Sequence, residues 1–126
     1  ASDASIRVLN TGMPHPRGYG TNARVLGKYV REEKVISLEE AIRRMTSLPA
    51  QKFQLHSRGL LHTGYAADIV IFDEKEVKDL STFEKPHSYS KGFHYVIVNG
   101  ALTVEKETHN GKRAGKALYG PGHEHH

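Results

Sequence analysis

Few residues of this 126-residue chain could do chemistry once their spacing is considered. Histidine is abundant, with nine copies, but His15, His56, His62, His87, His94 and His109 stand apart. None of these six forms an HxH or HExxH pair that would put two imidazoles on one metal by local geometry. The closing Gly122-His123-Glu124-His125-His126 is denser. A histidine cluster at a terminus reads as a purification-tag remnant or a frayed native end, and it is set aside from fold reasoning. Cysteine is absent, which excludes thiol nucleophiles, disulfide scaffolds and cysteine zinc sites, so a metal would have to use His, Asp or Glu. No Ser-His-Asp order is recognisable. The run from Gly12 to Gly20 is glycine-rich, but Pro14 and Pro16 bring no amide donors, so it cannot offer the consecutive N–H groups of a phosphate cradle. What remains is one carboxylate near the start, Asp3, and the group His15-Pro16-Arg17. On residue type alone these are a solvated acid and a surface cation.

The elements that would have to position them follow from periodicity and breakers. Gly12, Pro14, Pro16, Gly18 and Gly20 predict an irregular loop over residues 1–21. Thr21 or Asn22 then caps a helix whose apolar Val25, Leu26, Tyr29 and Val30 recur at helical spacing to about Glu33. Ser37-Leu38-Glu39-Glu40 fits a capping box and opens a second helix, with Leu38, Ile42, Met45 and Leu48 on one face and Arg43 and Arg44 turned away. Pro49 should end or turn that helix, leaving room for a short helical piece to Phe53. From Gly59 the period changes. Ala67 to Asp73 is a short apolar run bounded by acids, as expected of a strand covered on both faces. Tyr95-Val96-Ile97-Val98 and Ala101-Leu102-Thr103-Val104 flank Asn99-Gly100, a pair that favours a type I′ hairpin. Between them, Asp73 to Gly92 is polar and reads as a long surface excursion with one helical turn. Thr108 to His126 should be largely irregular.

Composition narrows the class. The chain is 37% hydrophobic and 25% charged, with no apolar run near the roughly 20 residues that a membrane-spanning helix needs. The expectation is a cytoplasmic or otherwise soluble protein without membrane contact, about one domain in size. A net charge of +4 permits nucleic-acid binding. No aromatic residues interleave with Lys112, Arg113 and Lys116, so a solvated tail is the simpler reading and no nucleic-acid partner is expected. The start at Ala1-Ser2-Asp3, without methionine, suggests a processed product or a piece of something longer.

Four separated stretches resemble a known family. Ala1-Ser2-Asp3 followed by His15-Pro16-Arg17-Gly18-Tyr19-Gly20-Thr21 and Arg24-Val25-Leu26-Gly27 is similar to the segment after the last barrel strand of N-acyl-D-amino-acid deacylases. Ser37 to Ala50 resembles the amidohydrolase helix that precedes the return to a small β domain. Gly64 to Asp73 resembles the strand that reads ADIVIFD, and Val96-Ile97-Val98-Asn99-Gly100 the closing VNG hairpin. The last two mark the metal-dependent amidohydrolase superfamily; HPRGYGT with RVLG points to the deacylase branch.

The resemblance implies an α+β chain whose N-terminal loop and two helices, residues 1–50, close a TIM barrel. Residues 51–107 would be part of a small β-sandwich domain with a C-terminal hairpin, and 108–126 an irregular tail. It implies that Asp3 serves at the metal site and as the acid/base that moves the proton during hydrolysis. It further implies that Arg17 holds the substrate α-carboxylate through its planar guanidinium, while His15 and Tyr19 shape the loop. Ala4 stands where the family often has glycine. Zinc is expected in the complete parent and none in this chain alone, because a catalytic zinc takes about three protein ligands and the family's histidines would precede residue 1. The expected partners are an N-acyl-D-amino acid in the parent and either the missing barrel portion or a second copy of the chain. Exposed apolar strand edges would accompany the missing parts. Alternative readings are a non-catalytic α+β binding or oligomerisation module, and another amidohydrolase such as a dihydroorotase or hydantoinase relative.

Overall fold

The computed structural model describes residues 2–123 and is an α+β chain. It divides into two compact units, one formed by Ala1–Ala41 with Phe72–Phe93 and the other by Ile42–Ile71 with His94–His126. The closing residues 124–126 of the histidine cluster, and Ala1, lie outside the described residues.

In the first unit a helix starts earlier than the breakers predict. Helix α1 spans Arg17–Arg24, with Pro16 at its N-cap in a helical conformation (φ −53°). Proline at a helix start sacrifices no hydrogen bond, because the first amides have no partner within the helix. Thr21 therefore does not cap anything. Its hydroxyl lies inside the helix and donates back to the Arg17 carbonyl at 2.8 Å. Gly18 and Gly20 are tolerated because contacts from far along the chain hold the turn: a Cβ on Gly20 would sit 2.7 Å from the Asp79 Cβ. Beyond Arg24 the helix widens into a π-type segment, Val25–Glu32, which ends with the Glu33 amide donating to the Lys28 carbonyl five residues back at 2.8 Å.

This widened segment seats on the turn at 74–77. Arg31 donates to the carbonyls of Glu74 (3.0 Å) and Val77 (2.7 Å). Gly27, four residues earlier and so on the same face, comes close enough that a Cβ there would lie 2.6 Å from the Val77 carbonyl oxygen. The core of the unit is correspondingly small: Ala23, Leu26, Ala41 and Val77 are buried. The excursion between Asp73 and Gly92 is thus more than surface. It has its helical turn, with the Val77 amide donating to Asp73 O at 2.9 Å, but it also buries Val77 and Ser81 and forms a bridge between Lys78 and Lys91.

Helix α2, Leu38–Met45, opens as the sequence suggests, the Ser37 hydroxyl accepting from the Glu40 amide at 3.2 Å. It stops four residues ahead of Pro49. A continuous helix would leave the Met45 carbonyl facing a proline ring with no N–H. The chain instead breaks at Thr46 (φ −127°, ψ −82°) and restarts as α3, Ser47–Lys52.

Four strands form one sheet in the order β1-β2-β3-β4: Ile69–Phe72, Phe93–Val98, Ala101–Glu105 and Thr108–His109. The Asn99-Gly100 hairpin is present, with φ of 48° and 80° and antiparallel pairs Val98–Ala101 and Val96–Val104 around a bulge between Val96 and Ile97. A second turn was not foreseen. Lys106 and Glu107 take φ of 47° and 64° and reverse the chain into β4. Strand β1 departs from the expectation of two covered faces, since Val70 and Ile71 are each 49% exposed. In this second unit Ala50, Ser47 and Thr103 are the buried residues. Among the described residues, no helix is long and apolar enough to cross a membrane.

Candidate functional site

The loop that carries Asp3, His15 and Arg17 belongs wholly to the first unit. Arg17 is the first residue of α1, and its guanidinium lies 3.1 Å from the Asp3 carboxylate, fourteen positions earlier. Both side chains are accessible, 43% for Arg17 and 86% for Asp3. Asp3 itself has a left-handed backbone (φ 52°). The two residues singled out by resemblance are therefore brought together, and in a place open to a ligand.

His15 lies just before them. Its Nδ1 accepts from the Arg17 amide at 3.0 Å, and its ring meets Phe83 edge-on at 4.9 Å. Tyr19, half-buried, contacts Tyr89 (5.9 Å between centroids) and His87 (5.8 Å), while its carbonyl accepts from the Ser90 hydroxyl at 3.1 Å. On the next turn Arg24 donates to Asp79 at 3.2 Å. The hydrogen bond to Asp79 chiefly, and then one to Tyr29, raises the Arg24 pKa above its ordinary value against a small opposing effect of burial.

Segment 79–90 thus cradles the start of α1 with Asp79, Phe83, His87, Tyr89 and Ser90. Sequence reasoning missed all five. His87 was one of the scattered histidines, and its partners lie 68 to 77 residues away, so no local spacing could have marked it.

Asp3 is not part of any group of three or more converging His, Asp or Glu side chains among the described residues. One carboxylate falls short of the about three protein ligands of a catalytic zinc site, so these residues do not by themselves fit that metal. A hollow of the first unit, of about 150 Å³, is lined by neither Asp3 nor Arg17; Leu26, Val30, Leu38, Phe72 and Val77 supply its apolar walls.

In the second unit a polar knot organises the hairpin. Arg58 pairs with Asp68 and donates to the Asn99 carboxamide oxygen at 2.9 Å. Asp68 accepts from the Asn99 amide at 2.8 Å, and the Asn99 Nδ2 donates to the Ala114 carbonyl at 2.7 Å. The side chains that resembled the ADIV and VNG motifs thus tie the strand start to the turn. This is a structural role.

Comparison with known proteins shows the family of the chain. Residues 1–104 match the family described as "Amidohydrolase family". The chain is 46% identical over 105 residues to the D-aminoacylase of Alcaligenes xylosoxydans xylosoxydans, which covers 83% of this chain and 22% of that protein. A solved D-aminoacylase structure concerned with a binuclear metal center superposes with a TM-score of 0.83 at 46% identity, over 85% of this chain and 23% of the other. The N-acyl-D-glutamate deacylase of Bordetella bronchiseptica, solved with zinc and a phosphonate inhibitor that mimics the tetrahedral intermediate, gives 0.71 at 47% identity, over 72% and 19%. The chain spans about a fifth of the length of each.

Proposed function

Because the chain belongs to the amidohydrolase family, we propose that it is the C-terminal part of a metal-dependent deacylase that hydrolyses N-acyl-D-amino acids to a carboxylate and a free D-amino acid. Within that reading, residues 1–50 complete a barrel and its active-site loop, 51–107 contribute to a small β-sandwich, and 108–126 form a tail. The observation that carries the proposal is the stretch containing Asp3 and Arg17, which lies within the family match and holds the two side chains 3.1 Å apart.

The chemistry assigned to each residue follows from its type. The Asp3 carboxylate accepts a proton from the attacking water and returns it to the leaving amine nitrogen, the ordinary work of a general base that becomes a general acid. Asp3 would also be one ligand of the metal, zinc by analogy with the glutamate deacylase, which would polarise the attacking water. Arg17 offers two parallel N–H groups to the substrate α-carboxylate. Its present partner is replaceable, since an exposed ion pair is worth little, so an incoming carboxylate can take the guanidinium and leave Asp3 free. The apolar side chains left open in this chain, among them Met13, Leu61 and Phe83, suit burial against the remainder of the protein.

The test is the complete protein, assayed for release of free amino acid from N-acyl-D-amino acids, their L enantiomers and analogues with an amidated carboxylate. Preference for the D acid with a free carboxylate is expected. Failure to release amine from any of them would sink the reading.

A further inference from the structure

His87 makes three hydrogen-bonding contacts, and together they fix its protonation. Its Nδ1 accepts from the Asn10 backbone N–H at 3.1 Å, a group that can only donate. Its Nε2 lies 2.7 Å from the Gly12 carbonyl oxygen, a group that can only accept. Both contacts require the same neutral tautomer, with Nδ1 bare and the proton on Nε2. The Tyr19 hydroxyl, 3.2 Å from the same Nδ1, can then only donate, sharing that nitrogen's one lone pair with the Asn10 N–H. The ring is also edge-on to the Tyr19 ring. One imidazole thus ties two points of the arm that carries Asp3 to the residue two positions after Arg17. These ties span 68 to 77 residues of sequence, so the alignment they enforce is not available from the loop's own turns.

We propose that His87 is a positioning residue for the arginine loop, setting where the Arg17 guanidinium stands for a substrate carboxylate. This rests on the deacylase reading, in which Arg17 binds that carboxylate. His87 does not touch substrate. It acts through Asn10, Gly12 and Tyr19, and the contacts around it come from the same segment that supplies Phe83 to His15 and Ser90 to Tyr19.

Two measurements test it. The first needs no activity: long-range 15N–1H spectra of the 126-residue chain should show His87 as the Nε2–H tautomer, and the Nδ1–H pattern would overturn the tether. The second uses the complete protein. His87→Leu removes every contact, while His87→Gln keeps an amide oxygen to accept and an N–H to donate. The leucine variant should raise KM for N-acyl-D-amino acids about tenfold, from loss of roughly one net hydrogen bond's alignment, with kcat little changed. KM for an analogue with an amidated carboxylate should stay put, and His87→Gln should recover most of the loss. A KM rise shared equally by the amidated analogue, a fall in kcat alone, or no change at all would overturn the role. If the leucine variant does not fold, the glutamine variant decides: KM within about twofold of wild type is expected, and a loss confined to kcat is not. An enzyme inactive on every N-acyl-D-amino acid would overturn both the deacylase reading and this role while leaving the tautomer intact, so the two failures are distinguishable.

Discussion

Arg17 and Asp3 form an ion pair at 3.1 Å although thirteen residues, among them two prolines and a glycine, separate them. The pair puts a carboxylate suited to proton transfer beside a cation suited to binding another carboxylate. Substitutions at the two positions should therefore have different kinetic signatures in the complete protein.

Replacing Asp3 with Ala removes the proton acceptor without disturbing a buried core, since its side chain is 86% exposed. Turnover should fall by between about a hundredfold and ten-thousandfold, the usual worth of general acid–base catalysis. Product release assays with a parallel melting curve check it. Near-normal turnover would remove Asp3 from the chemistry.

Arg17→Lys keeps the charge and loses the planar fork. The expected effect is a rise in KM of about tenfold for acylated amino acids, with kcat within a factor of a few, because lysine cannot make both parallel bonds. Steady-state kinetics on free and amidated carboxylates separate this from a general loss of activity.

A glycine-to-alanine change inside a helix ordinarily stabilises it by roughly 0.5–1 kcal/mol. At Gly27 the sign should reverse, because the added methyl would meet the Val77 carbonyl oxygen at 2.6 Å and displace the turn that Arg31 also holds. A net loss of about 1–3 kcal/mol is expected in urea titrations. Gly115→Ala, where nothing lies within 4 Å of the new carbon, serves as the neutral comparison.

The Lys106-Glu107 turn holds two side-chain-bearing residues at positive φ. Changing the pair to Asn-Gly should raise stability by about 1 kcal/mol, since the left-handed region costs most residues roughly that much or more. Thermal melting of the double variant is the check, and an unchanged melting temperature would count against strain in this turn.

Arg24 and Asp79 give a prediction about pH. The Arg24 pKa is raised above its ordinary value in the folded chain, so the stability that the pair contributes is complete below that ordinary value and is lost only as pH rises through the higher folded value. Arg24→Gln should thus lower stability by the same small amount at neutral and mildly alkaline pH. With the Arg24 side chain 46% exposed, that amount should not exceed about 1 kcal/mol and should shrink in salt.

How much of this was legible in the sequence depends on how far apart the interacting residues lie. The Asn99-Gly100 hairpin and the Ser37 cap are set by neighbours within four residues, and both were read correctly. The start of α1 was misread because Gly18 and Gly20 argue against a helix locally, while Asp79, His87 and Ser90 hold it from across the chain. The Lys106-Glu107 turn carries no signal at all, since neither residue favours positive φ. Asp3 and Arg17 would have passed as solvated charges without the family resemblance. Their juxtaposition depends on an arm tethered through His87.

Asparagine followed by glycine is also where polypeptides age. The glycine nitrogen attacks the asparagine side-chain carbonyl carbon, ammonia leaves, and water opens the ring to aspartate or its β-linked isomer. In this hairpin the Gly100 amide is engaged with the Ala67 carbonyl at 2.9 Å, and both ends of the Asn99 carboxamide are held, by Arg58 and by the Ala114 carbonyl. The contacts that tie the strand start to the turn therefore also hold the reacting groups in place. The folded turn is its own preservative: a chain that loses the Arg58 contact gives up the tie between strand and turn and chemical shelf life together.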